Sequence, residues 1–239
     1  MSTPKPRGRS PVLTEVDIRR VARNLLVEHG QDAVTLRAIA RELGITAPAL
    51  YRYYKSLDAL LEALRSEFCA DLAAELSTDI AALPEDGVVR FFAICKGFRR
   101  WALAHTAEFT LVFASPGVGK AETIRRFGEP FARIFLGAAA HVLATYDVVA
   151  PPADVIPPGL HDDLVDFQTE LLAALSDAEP SLSAEKIDLG VTYLMIQVWA
   201  RLYGHVTLEV FGNYPIPLSN PEILFDAMLT DLGATAGLL

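Results

Sequence analysis

Apolar residues recur at helical spacing almost from the start of this chain. Ile18, Val21, Ala22, Leu25 and Leu26 fall at i, i+3, i+4, i+7 and i+8, which is one face of a helix. Thr14 stands where an N-cap belongs, and Gly30 where a helix-ending glycine belongs. Leu36, Ile39, Ala40 and Leu43 repeat the pattern between Thr35 and Gly44. Thr46 predicts a third helix start, with Pro48 in its first turn, where a missing N–H costs little. Ser56 predicts a fourth, with Asp58 at the positive end of its dipole. The apolar face of that helix is Leu57, Leu60, Leu61, Leu64 and Phe68.

Beyond Pro84, helical patterning continues over residues 87–106, 121–147, 159–178, 183–212 and 219–235. The breaks are a short run at 114–120 and a proline-rich stretch at 148–158, which reads as extended. No strand-like alternation and no internal repeat stands out. The segment 183–212 is apolar on nearly every side, so it predicts a helix buried all round, in a large core or a subunit interface. The fold class expected is all-α. A flexible basic arm (1–11) and a small helical domain (12–57) are expected to precede a larger helical domain (58–239).

Composition supplies ample core material, with 51% hydrophobic residues in 239. The longest apolar runs reach about ten to thirteen residues, around 134–146, while a membrane span needs about 20. The N-terminus MSTPKPRGRSP has charge but no apolar stretch of a secretory signal. Cys69 and Cys95 have neither metal nor redox spacing and read as buried thiols. A cytoplasmic protein without a membrane partner is expected. The net charge of −9 argues against a DNA binder until its distribution is considered. Residues 1–60 carry ten bases and six acids, a net +4, and the remainder carries −13. A basic head on an acidic body localises phosphate attraction to one end.

That head contains a constellation. Thr35-Leu-Arg-Ala-Ile-Ala, Leu43-Gly-Ile-Thr46, Pro48-Ala-Leu-Tyr51, Tyr53-Tyr54-Lys55-Ser56 and Leu60-Leu61 resemble the tetracycline-repressor (TetR) family of one-component transcription regulators. The resemblance covers residues 18–64 and implies a helix-turn-helix that places its second helix in the DNA major groove. Thr35 and Arg37, opening the second helix, are suited to a phosphate. Thr46, Ala47, Pro48 and Ala49 form the first turn of the recognition helix. The two alanines can offer only apolar contact, for instance to a thymine methyl. Leu50 is expected in the core.

By the resemblance, Tyr51 reaches a phosphate with its hydroxyl, and Tyr53 holds a position often used for DNA contact. Tyr54 reads as core, Lys55 as a phosphate ligand, and Arg52 as either a DNA contact or a solvated surface arginine. Where the family usually has a lysine near the start of the fourth helix, this chain has Leu57, so that contact is lost or passes to Lys55. Lys5, Arg7 and Arg9, set among prolines and a glycine, are either a minor-groove arm or a solubilising tail.

The same resemblance implies a ligand pocket and a two-fold dimer in the body. Phe98, Trp101, Phe109, Phe113, Phe131, Phe135, Phe167, Trp199 and Tyr203 are the candidate pocket residues, and each could equally be core. Trp199 to Gly204 resembles a C-terminal domain type of the family with a Trp and a His-Gly step, with Tyr203 in place of that His. Helices at 159–178 and 183–212 are the expected dimer pair. The acidic face Asp162, Asp163, Asp166 and Glu170 reads as solvated rather than as a metal site.

Two decoys fall away. The run Ser115-Pro-Gly-Val-Gly-Lys120 lacks the first glycine and the magnesium-ligating Ser/Thr of a phosphate loop, and no strand precedes it. The five histidines show no triad or zinc pattern. No enzyme, cofactor or metal is expected. The function expected is a dimeric regulator, most simply a repressor, that binds a palindromic operator and is released by a small, largely apolar effector. A helical binding protein that has kept the fold without the DNA is the rival.

Overall fold

The computed structural model describes residues 13–114 and 130–239, and the regular elements among them are all helical. The chain forms two compact units, Met1–Glu67 and Phe68–Leu239.

In the first unit, α1 (Glu15–His29) opens on a reciprocal capping box. Thr14 Oγ1 accepts the Asp17 N–H at 3.2 Å, and the Asp17 carboxylate accepts the Thr14 N–H at 3.1 Å. Its buried face is Ile18, Ala22, Leu25 and Leu26, as the spacing predicts. In α2 (Leu36–Glu42), Thr35 Oγ1 caps the Ala38 N–H at 3.1 Å. The helix closes in a Schellman motif, with the Ile45 N–H on the Ala40 carbonyl and the Gly44 N–H on the Arg41 carbonyl. That closure holds Gly44 at φ +67°, where a side chain is strained. The turn leads into α3 (Ala47–Leu50), four residues long. The next helix, α4 (Leu57–Ala81), starts with Ser56 Oγ accepting the Ala59 N–H. The division between the units falls inside α4, because Leu60, Leu61 and Leu64 belong to the first unit's core.

The second unit takes the rest of α4, then α5 (Gly87–Ala104), α6 (Thr106–Phe113), α7 (Pro130–Thr145), α8 (His161–Ala178), α9 (Leu189–Val210) and α10 (Pro221–Thr235). Helix α5 packs on α7 and α9, and α8 packs on the same two helices. Leu136, Ala140 and Leu143 of α7 meet Leu171 and Leu175 of α8 and Val191 of α9 in one buried cluster. A bidentate ion pair of Arg99 with Glu209, at 2.7 and 2.6 Å, ties α5 to α9 with both side chains largely buried. Cys69 and Cys95 are buried thiols outside any disulfide, as expected, and burial pushes the Cys95 thiol well up.

Three expectations change. The helix expected at 87–106 ends at Ala104, and a further helix, α6, follows the non-helical His105, whose ring stacks on Trp101. The helix expected over 183–212 begins only at Leu189. Residues 184–186 form a 3-10 turn, and Asp188 accepts the Val191 N–H at 2.8 Å to start α9. In that preceding turn, Lys186 Nζ donates to the carbonyls of Leu143 and Ala144, closing the C-terminus of α7. Helix α9 is also not buried all round in a single chain, since Ile196, Trp199, Ala200 and Leu208 are exposed. The arm residues Arg7 and Arg9 and the run 115–120 lie outside the described residues.

Two outcomes test these caps. Gly44→Ala should cost about 1–2 kcal/mol, read by thermal melting, because alanine must adopt the left-handed conformation. Asp86, N-cap of α5, accepts the Val89 and Val88 N–H groups, and those bonds hold its carboxyl below the ordinary aspartate range. Its contribution is therefore complete above the ordinary aspartate value of 3.8 and is lost as pH falls through the lowered one. Asp86→Asn keeps the cap without the charge, so its melting temperature should fall less steeply below pH 4 than that of the parent chain.

Candidate nucleic-acid interface and aromatic cluster

The turn and start of α3 put short residues on the surface of the first unit. Thr46 and Pro48 are exposed, Ala47 and Ala49 half-buried, and Leu50 fully buried. Thr46 occupies the N-cap of α3, but its hydroxyl makes no cap hydrogen bond. That leaves the hydroxyl available to an outside acceptor. Tyr51 is 56% exposed. Arg37, Arg52 and Lys55 are exposed too, and none has a carboxylate partner among the described residues. Arg41, not singled out in the sequence, lies exposed at the end of α2, and its carboxylate partner among the described residues is the neighbouring Glu42, at 3.5 Å. Exposed cations and small side chains on one unit are what close approach to a phosphate backbone requires. Thr35 is exposed, with its hydroxyl oxygen engaged by Ala38. Its hydroxyl proton remains available to an outside acceptor.

The three tyrosines separate by role. Tyr54 is buried, as its place in the pattern suggests, and its hydroxyl accepts Arg19 Nη1 at 2.9 Å while Arg19 Nε donates to Glu67 at 2.7 Å. Tyr53, expected to face DNA, is half-buried, and its hydroxyl donates to the Leu13 carbonyl at 2.9 Å. A phosphate offers only acceptors, so that proton is not available to one. Tyr51 alone keeps a hydroxyl without a partner among the described residues. Nothing in the local sequence distinguishes Tyr53 from Tyr51, because the partner is a backbone carbonyl some forty positions away.

In the second unit, seven of the nine candidate pocket residues come together. The Phe98 ring lies 5.3 Å from Phe113, 5.9 Å from Phe135, 6.0 Å from Trp199 and 6.1 Å from Phe109. Phe131 joins through Phe113, and Tyr203 stacks on Trp199 and donates its hydroxyl to the Phe113 carbonyl at 2.9 Å. Trp101 is turned to His105 instead, and Phe167 packs on the α7–α8 cluster. Around Phe98 the rings meet edge-on or tilted, while Tyr203 is stacked on Trp199 and on Phe109, both favourable forms of ring–ring packing. Trp199, 39% exposed, is where this cluster meets the surface. A separate open cleft of about 300 Å³ lies beside Tyr146, Glu185, Lys186 and Asp188, none of them singled out from the sequence. Its lysine is engaged at the end of α7, which the local sequence does not signal.

Comparison with known proteins gives the chain its relatives. Residues 18–64 match the family model for bacterial regulatory proteins of the tetR family, and residues 91–232 match the tetracyclin repressor-like C-terminal domain. The HTH-type transcriptional regulator Rv1816 of Mycobacterium tuberculosis is 31% identical over 89% of this chain and 88% of its own length. Regulator Mb1846 of Mycobacterium bovis matches to the same extent. Among solved structures, the SCO4313 protein gives a TM-score of 0.59 at 21% identity, covering 91% of this chain and 94% of that one. A protein of unknown function from Rhodococcus sp. RHA1 gives 0.56 at 16%, covering 95% and 99%. At these identities the structures establish a shared fold.

The interface makes a quantitative prediction. Lys55→Ala should weaken DNA binding and reduce the slope of log affinity against log salt by about 1, as expected for one lost phosphate contact. Tyr51→Phe should weaken binding while leaving the melting temperature unchanged, since its hydroxyl holds nothing in the fold. Unchanged affinity in both variants would remove this face as the docking surface.

Proposed function

The chain belongs to the tetR family of bacterial regulatory proteins, and on that premise we propose that it is a homodimeric repressor released from a near-palindromic operator by a small, largely apolar effector. As a member of that family it is a DNA-binding transcription regulator and not an enzyme. The observation that carries the DNA reading is the turn with exposed Thr46 and Pro48 and half-buried Ala47 and Ala49, on the same unit as the exposed Tyr51, Arg37, Arg52 and Lys55, whose cations have no carboxylate partner among the described residues. A cytoplasmic location is part of this reading, since that is where a bacterial regulator meets DNA. No described helix is long and apolar enough to cross a membrane.

Dimerisation is supported by the uncovered side of α9. Ile196, Ala200, Gly204 and Leu208 follow one another at four-residue steps, and space is open where a Gly204 side chain would stand. A helix with small residues in such a row packs closely against a second helix, and a two-fold axis supplies an identical one.

The effector reading rests on the aromatic cluster. An apolar ligand entering beside Trp199 displaces ring contacts centred on Phe98 of α5. The next-door residue Gly97 lies so close to α4 that a methyl group there would meet Leu76 at 2.6 Å and Asp79 at 2.9 Å. Arg100 pairs with the same Asp79. Displacement of Phe98 therefore reaches α4 within one helical turn of α5, and α4 is continuous with the DNA-binding unit. The ligand shifts the balance only by its differential affinity for the two states.

Fluorescence anisotropy with DNA from upstream of the chain's own gene, over a salt series and against unrelated competitor, tests this function. Tight, competitor-resistant and steeply salt-dependent binding is expected. Ala200→Glu should convert the dimer to a monomer in sedimentation and weaken operator binding with it. Weak binding equal to that of competitor DNA, with the dimer intact, would count against it.

A further inference from the structure

Arg19 of α1 bridges two other parts of the first unit. Its Nη1 donates to the Tyr54 hydroxyl at 2.9 Å, and its Nε donates to the Glu67 carboxylate of α4 at 2.7 Å. Tyr54 follows directly on the recognition turn, and its N–H returns to the carbonyl of Leu50, the last residue of α3, at 3.0 Å. Arg23, one turn further along α1, stands 3.7 Å from the other Glu67 oxygen. Tyr54 is buried and the Arg19 side chain only 21% exposed, so water competes little for these bonds.

Burial of Leu50 and of the Tyr54 ring holds α3 against the core, but apolar contact has no direction. A guanidinium does have one. It is planar, with its donors at fixed angles, so meeting both oxygens sets Tyr54 in angle against α1 and α4 together. The two kinds of DNA contact differ in their need for that angle. Long lysine and arginine side chains can follow a phosphate that has shifted. Thr46, Ala47 and Ala49 are short, so a base edge is met only when the backbone beneath them is held in place.

Resting on the DNA reading above, we infer that Arg19 is a positioning residue for DNA sequence recognition. It touches no DNA. Its bridge from Tyr54 to Glu67 fixes the angle at which the recognition turn presents itself to base edges. Preference for one sequence over another therefore depends on the bridge, and the general attraction to phosphate does not.

The full chain first selects a preferred duplex from a random-sequence pool. Binding to that duplex and to a scrambled one is then read by fluorescence anisotropy, well below the melting temperature of each variant. Arg19→Lys and Tyr54→Phe both break the bridge without changing the charge of the chain. Each should reduce the preference for the selected duplex by about tenfold, the size of one poorly met base pair. Affinity for the scrambled duplex, and its slope against salt, should stay at the parent's values. The double variant R19K/Y54F should lose no more than the larger single loss, because both changes act on one bridge. Ala22→Gly is the control: it weakens α1 on its buried face without touching the bridge, and it should keep the preference. The inference is overturned if either bridge variant keeps the full preference. It is overturned equally if affinity for the scrambled duplex falls in parallel, the mark of direct phosphate contact, or if Ala22→Gly loses the preference to the same degree, the mark of general loosening. Should one bridge variant fail to fold, the other decides by the same outcomes. If the parent chain selects no preferred duplex, the DNA reading itself fails, and this inference with it.

Discussion

A helix of four residues cannot sustain itself in water, because nucleation fixes several dihedrals for a single hydrogen bond. Helix α3 is such a helix, and everything expected at the DNA depends on its being held. The holding is external to it. Gly44 turns the chain at a positive φ, and Ile45 returns its N–H to Ala40. Leu50 is fully buried, and Tyr53 and Tyr54 both return their N–H groups to its carbonyl. Tyr54 then locks into Arg19 and Glu67. The face left over is free to be small and polar because none of its side chains has a structural task.

In the second unit α5 has the comparable role. Consecutive residues on it face different neighbours: Gly97 and Arg100 meet α4, Phe98 meets the aromatic rings, and Arg99 meets Glu209 of α9. The guanidinium of Arg99 also lies over the Phe225 ring of α10. Close packing makes such a helix hard to shift gradually, which suits two alternative arrangements better than a continuum. A methyl group at position 97 would require the ends of the Leu76 and Asp79 side chains to move.

Charge partition complements this mechanical division. The first sixty residues are net basic in a chain of net charge −9. Attraction to DNA is thereby concentrated on the unit with the recognition turn, and an acidic body is repelled by the same phosphates. The apolar surface left on α9 is at the opposite extreme of chemistry, uncharged across Ile196, Ala200, Gly204 and Leu208.

The sequence by itself determined the all-helical class, the caps at Thr14, Thr35 and Ser56, the turn at Gly44 and the buried position of Leu50 and Tyr54. These depend on residues a few positions apart, where 3.6-residue periodicity and capping chemistry act. The tertiary structure alone decided the rest. It ended one helix at His105, delayed α9 to Leu189, turned Trp101 to His105, packed Phe167 against the α7–α8 cluster, and gave the Tyr53 hydroxyl to Leu13. For Phe167 and Tyr53 the deciding partner is a group on another element that periodicity cannot place, while at His105 and Leu189 it is a local one, the Trp101 ring and the Asp188 carboxylate, which the apolar pattern does not signal. The same limit applies to α9. An apolar helix looks the same in sequence whether its last face meets its own chain or a second copy, and only three-dimensional packing shows which face is left uncovered.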